Sequence, residues 1–111
     1  MKVQTQNYND VTVIELQGEI DADIADALKD AVAGTAAVGR KRLVIDMSNV
    51  SAVDGQGLEL LLWGREYCRG NHVQLRLAGL DETLEKILEI TGLLSEFDCH
   101  AELAEAVRSF A

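Results

Sequence analysis

The sequence predicts an α/β fold, with a mixed β-sheet of four to five strands and about four packed α-helices in one domain spanning residues 1–111. Leu43-Val44-Ile45 is apolar without alternation and contains two β-branched residues, which suits a strand covered on both faces. A loop closing on Asp54-Gly55-Gln56-Gly57 then leads into an almost entirely apolar helix that reaches Arg69. The rest of the chain alternates between strand-like and helix-like periods in the order β, β, α, β, α, β, α, β, α, as an α/β domain requires.

From the N-terminus, Val3 to Tyr8 is polar and mixed, whereas Val11 to Leu16 alternates, with Asn9-Asp10 as a turn between them. A hairpin is expected, its first strand at the sheet edge and its second inside. Gly18-Glu19-Ile20 leads to Asp21, a side chain able to accept the free amides that open a helix. That helix is predicted over about Ala22 to Ala37, with Ile24, Ala27, Leu28, Ala31 and Val32 inward and Asp26, Lys29 and Asp30 outward. The basic cluster Gly39-Arg40-Lys41-Arg42 follows it, where cations favour the negative end of a helix.

In the central helix Leu58, Leu60, Leu61, Gly64 and Cys68 share one face, and Gly64 is read as allowing close approach of a neighbour. Glu59, Glu66 and Arg69 lie opposite, with Leu62 and Trp63 on the two flanks of that polar stripe. Both flanking residues are candidates for a contact surface, the alternative being that each packs on an adjacent helix. Val73 to Ala78 alternates as a half-buried strand. Leu80-Asp81 opens a third helix with Leu84, Ile87, Leu88 and Thr91 on one face, closed by Gly92 and by Leu93 folding back on Leu88. Phe97-Asp98-Cys99 is placed as a small last strand, and Leu103, Ala106, Val107 and Phe110 give a terminal amphipathic helix.

With 19 acidic against 10 basic residues, the chain has a formal charge of −9. Nucleic acid and anionic membrane surfaces both call for a positive face, so a protein partner is expected instead. No stretch has the length of a membrane span and Met1 to Gln6 lacks a signal-like apolar run, which gives a cytoplasmic expectation with no direct membrane insertion. Cys68 and Cys99 read as reduced core residues. Combining Cys68 with His72 and Cys99 with His100 makes a poor metal site, because adjacent ligands chelate badly, so neither metal nor cofactor is expected.

Leu43-Val44-Ile45-Asp46-Met47-Ser48, Val53-Asp54-Gly55-Gln56-Gly57-Leu58, Leu77-Ala78-Gly79-Leu80 and Ile87-Leu88-Glu89-Ile90-Thr91-Gly92-Leu93 occur in an order and at a spacing that resemble the STAS family, the fold of bacterial anti-sigma factor antagonists. The resemblance covers essentially the whole chain. It implies a binding surface centred on the Asp54-Gly57 loop and the start of the following helix, with Asp54, Gly55, Gln56, Gly57, Leu58, Leu62 and Trp63 as partner-binding residues. In regulated members the loop reads Asp-Ser-Ser-Gly or Asp-Ser-Thr-Gly, and a partner kinase, itself the anti-sigma factor, phosphorylates the second hydroxyl. Here Gly55 and Gln56 stand at those places, and neither side chain can form a phosphate ester. Ser48 and Ser51 remain as hydroxyls assigned to the same loop, with Ser51, nearer Asp54, the better off-motif acceptor.

Three readings follow. The first is a regulator of antagonist type, docking a switch kinase or anti-sigma factor without phosphorylation at Gln56. In this reading Asp54 either contacts the partner or simply caps the helix, while Gly55 and Gly57 serve turn geometry and close packing. The second is a non-enzymatic scaffold subunit of a transport or stress-signalling complex, for which an exposed Trp63 beside Leu62 would also serve; self-association through that flank is a further possibility. The third, an enzyme, lacks support. The chain has no Walker loop, Asp54 has no His or Lys nearby in sequence, and neither His72 nor His100 lies in a nucleophile motif.

Overall fold

The computed structural model describes residues 3–110. Five strands, β1 (Val3–Tyr8), β2 (Val11–Ile20), β3 (Arg42–Val53), β4 (Gln74–Ala78) and β5 (Asp98–His100), form one sheet in sequence order. The β1/β2 pair is antiparallel and the remaining three are parallel, so the sheet is mixed, as expected. Helices α1 (Ala25–Ala37), α2 (Gly55–Gly70) and α3 (Glu82–Ile90) are the crossovers, and α4 (Leu103–Arg108) follows the last strand.

The direction of strand addition decides where the helices go. Parallel crossovers are right-handed, so a sheet that grows steadily one way from β2 to β5 carries all its crossover helices on one face. The core shows this. Ile14, Leu16, Leu43, Ile45, Met47 and Leu77 of the sheet pack against Leu28 and Val32 of α1, Leu60, Leu61 and Cys68 of α2, and Leu84 and Leu88 of α3. A smaller core of Val11, Val13, Val44 and Ala78 fills the other face beneath Ala106 and Phe110. Because β2 and β3 are covered on both sides, their residues are buried without the alternation of a half-exposed strand, so the alternation expected from Val11 to Leu16 does not appear as burial in β2.

Several local expectations change. The segment after Ile45 is strand, not loop: β3 continues to Val53, so Ser48 and Ser51 both project from a strand and are exposed. The Ser48 hydroxyl and amide donate to the buried Asp46 carboxylate at 2.6 and 3.1 Å. The first helix opens with a 3-10 turn over Ala22–Ile24, and Ala27 is exposed because the inward line runs Ile24, Leu28, Val32, Thr35. A Cβ on Gly64 would meet nothing within 4 Å, so that glycine mediates no close approach. The last strand lies one residue later than expected, and His72 sits in a turn at φ 59 ahead of β4. The α3 terminus follows the sequence reading, with Gly92 at φ 76 and the Leu93 amide donating to the Leu88 carbonyl at 2.8 Å.

Candidate functional site

Parallel pairing of β2 with β3 brings the carboxyl ends of both strands to one edge of the domain, and each ends on an aspartate that opens a helix. Asp21 accepts the Asp23 amide at 2.9 Å. Asp54 accepts the Gly57 amide at 2.8 Å and caps α2, satisfying one of its free amides. The two turns are joined directly, for the Asp54 amide donates to the Ile20 carbonyl at 3.4 Å.

Gly57 is what lets them meet. A Cβ there would lie 2.1 Å from the Ile20 carbonyl oxygen and 2.9 Å from its carbon, so α2 seats its first turn on the end of β2 only with glycine at this place. Gly55 is different. It has no neighbour within 4 Å of a Cβ and no left-handed backbone, so the expectation that it serves turn geometry or close packing does not hold.

Between α1 and α2 lies an open groove of about 350 Å³ lined by Asp21, Ala25, Lys29, Gln56, Glu59 and Trp63. Gln56 and Trp63 are seven residues apart, close to two helical turns, and so share this face. Trp63 is half-buried, not exposed: its ring stacks on Tyr67 at 5.0 Å between centroids, and the Lys29 ammonium sits 5.5 Å above it. Such a ring presents a preorganised apolar wall. Gln56 is exposed and lines the groove.

Of the residues expected at the surface, Asp54, Gly55, Gln56 and Gly57 stand together as cap and first turn, and Trp63 joins Gln56 in the groove. Leu58 is half-buried against the core. Leu62 is half-buried and turned about 100° from Trp63 around the helix, so the two do not form one apolar flank. The opposite wall, Asp21 ahead of the 3-10 turn with Ala25 and Lys29 of α1, lies outside the residues expected from the sequence. Its signal was present in the repeated pattern of a strand ending on a helix-capping aspartate, which parallel pairing turns into two sides of one site.

Neither cysteine is tuned for chemistry. Burial pushes the Cys68 thiol up to about 11, and burial with Asp98 and Glu85 nearby pushes Cys99 up to about 11. Both are neutral thiols near pH 7, poor nucleophiles and poor metal ligands. Among the described residues no helix is long and apolar enough to cross a membrane.

A family model described as the STAS domain matches residues 2–106, nearly the whole chain. The chain belongs to the STAS family. Among STAS relatives, an anti-sigma-B factor antagonist of Staphylococcus epidermidis is 24% identical over 93 residues, covering 84% of this chain and 86% of that one. A STAS-domain containing protein of Pseudomonas aeruginosa is 32% identical over 78 residues, covering 70% and 76%. The crystal structure of an anti-sigma factor antagonist from Mycobacterium paratuberculosis superposes with a TM-score of 0.84 at 25% identity, covering 96% of this chain and 91% of that one. The chain is thus a regulatory STAS protein in general kind, and protein partners are what that kind implies.

Proposed function

We propose that this STAS protein is an antagonist-type regulator that binds an anti-sigma factor or switch kinase in the α1/α2 groove and acts by docking, with no catalytic step. The observation that supports this most is the convergence of Gln56 and Trp63 on one face of α2, opposite α1 and beside two capped helix starts. A half-buried aromatic wall next to an exposed amide combines an apolar anchor with a directional contact, the usual make-up of an interface centre. The similarity to proteins named anti-sigma factor antagonists supports the class of partner.

Gln56 gives the partner an amide where regulated relatives are expected to present a hydroxyl. Docking is therefore constitutive at this position, its extent set by abundance. Of the two exposed serines on β3, Ser51 is the acceptor nearer Asp54, and intact-mass measurement on protein from its native cell tests it: an unmodified mass under every growth condition removes Ser51 from consideration.

Affinity capture with wild type, Trp63→Ala and Gln56→Asp tests the docking surface. Retention of an anti-sigma factor or related kinase by the wild type, and its loss from both variants, is expected. The same proteins retained by all three would refute docking in this groove, and recovery of only membrane-complex subunits would favour a scaffold role.

A further inference from the structure

β1 is an edge strand that lacks the usual protection. Among the described residues it pairs only with β2, in an unbroken six-pair register, and leaves its outer side open. Natural sheet edges are blunted by charge, proline, bulges or cover. Val-Gln-Thr-Gln-Asn-Tyr contains neither charge nor proline, and all but Val3 are exposed. Its flanks are grooved on both faces of the sheet. On the α1 side, Thr5 and Asn7 border a space of about 260 Å³ with Gly34 and Val38, and Val38 is 72% exposed. On the α4 side, Tyr8 borders about 330 Å³ with Leu103 and Val107. A strand added to β1 would send alternate side chains into the two grooves.

We propose that this edge is the dimer interface of the protein and that its occupant is the β1 strand of a second copy, paired antiparallel about a two-fold axis through Thr5. Charge selects this occupant. Two chains of formal charge −9 repel over most of their surfaces, yet β1 carries no charge and its grooves are bordered by Asp30 against Arg40 and Arg108. The edge is thus a part of the molecule at which two copies meet without like charges on the strand itself.

Geometry then sets the register. β1 joins β2 through the two-residue turn Asn9-Asp10, with Tyr8 opposite Val11. In such a hairpin the pair flanking the turn exchanges hydrogen bonds, so Tyr8, Gln6 and Gln4 direct their backbone groups toward β2, and those of Val3, Thr5 and Asn7 point outward. A two-fold axis perpendicular to the sheet keeps faces matched, which demands that residues of like parity oppose each other. Centring on Thr5 pairs every outward group, with Val3 opposite Asn7, Thr5 opposite Thr5 and Gln4 opposite Gln6. Thr–Thr pairs stabilise antiparallel strands, and no like charges meet. The edge and its grooves share no residue with the Gln56–Trp63 groove, so the dimer leaves both docking sites open.

Sedimentation equilibrium on the full chain tests this with Thr5→Lys and Thr5→Glu, each at an exposed position and checked for fold by circular dichroism. Self-opposition makes the prediction specific. Wild type is expected to dimerise, each variant alone to dissociate about tenfold or more readily, and an equal mixture of the two to recover dimer as the lysine–glutamate pair. A wild type that is monomeric across the accessible concentrations overturns the proposal, as does undiminished dimer in both single variants. A monomer that instead gains a strand from another protein would also overturn the choice of a second copy.

Discussion

Gly57→Ala tests whether the two helix starts of the groove are locked together. In an unconstrained helix the change stabilises by about 0.8–1.0 kcal/mol, because alanine loses less backbone freedom. Here the added Cβ would sit 2.1 Å from the Ile20 carbonyl oxygen, more than 1 Å inside ordinary contact, and 3.1 Å from the Ile20 Cγ2. The atom it meets is backbone of a buried strand end and cannot swing aside. Relief requires α2 to lift from β2, which stretches the Asp54 amide to Ile20 carbonyl bond, already 3.4 Å. Overpacking of this kind costs about 1–3 kcal/mol and the lost hydrogen bond about 1 kcal/mol more, so the net effect after the propensity gain is destabilisation of about 1–3 kcal/mol. For a domain of this size that lowers Tm by roughly 4–12 °C. Gly55→Ala, two residues earlier with open space around it, is the matched control and is expected to be neutral or stabilising by up to about 1 kcal/mol. Urea unfolding of both variants, with m-values compared to exclude denatured-state effects, measures the difference. A Gly57→Ala protein as stable as its Gly55→Ala counterpart would refute the seating of α2 on Ile20.

Three further outcomes are expected. Asp54→Ala removes the bond to the Gly57 amide and should cost about 0.5–2 kcal/mol, read as a lower urea midpoint at unchanged m. Gly79→Ala should cost more than about 2 kcal/mol in the same assay, since Gly79 holds φ +75 and a Cβ would lie 2.2 Å from Ser48 Oγ. Stability should also fall at alkaline pH. The buried thiols of Cys68 and Cys99 are raised from 9.0 to about 11, so unfolded chains lose those protons first; stability holds below about pH 9 and declines as pH rises through 11. Cys68→Ala should lessen that alkaline decline while lowering stability at pH 7 through the cavity it leaves.

The elements whose burial is one-sided or complete were legible in the sequence, because period and composition follow burial directly. The hairpin, the α3 stop at Gly92 and the aspartate caps at Asp21 and Asp54 all rest on local chemistry, and the structure shows each of them. The second half of β3 was not legible, and the reason is physical. Beyond Asp46 it pairs with β2 alone, across register shifts between Glu15 and Gln17 and between Gly18 and Glu19, and Ser48, Asn49, Ser51 and Ala52 are exposed. Irregular pairing breaks the two-residue period, and the exposed polar residues then mimic a loop. The role of each glycine was equally hidden, since Gly55, Gly57 and Gly64 differ only in what lies opposite them. Whether Trp63 faces a partner or packs on an adjacent helix was left open by the sequence, because Lys29, which covers its ring, belongs to a helix 34 positions earlier in the chain. The groove itself depends on the pairing of β2 with β3, a long-range fact that no local pattern contains.

Trp63 is the sole tryptophan, so its fluorescence reports directly on the groove. The most direct test of the docking account is titration of the wild type and Gln56→Asp with a purified anti-sigma factor from the same cell, following that emission. Gln56→Asp places a negative charge at the start of α2, where the helix dipole accommodates it, so its stability should stay within about 0.5 kcal/mol of wild type. A saturable change in Trp63 emission is expected for the wild type, with binding weakened by about tenfold or more for the variant. Equal affinity for both proteins, with Trp63 emission unmoved on saturation, would contradict it.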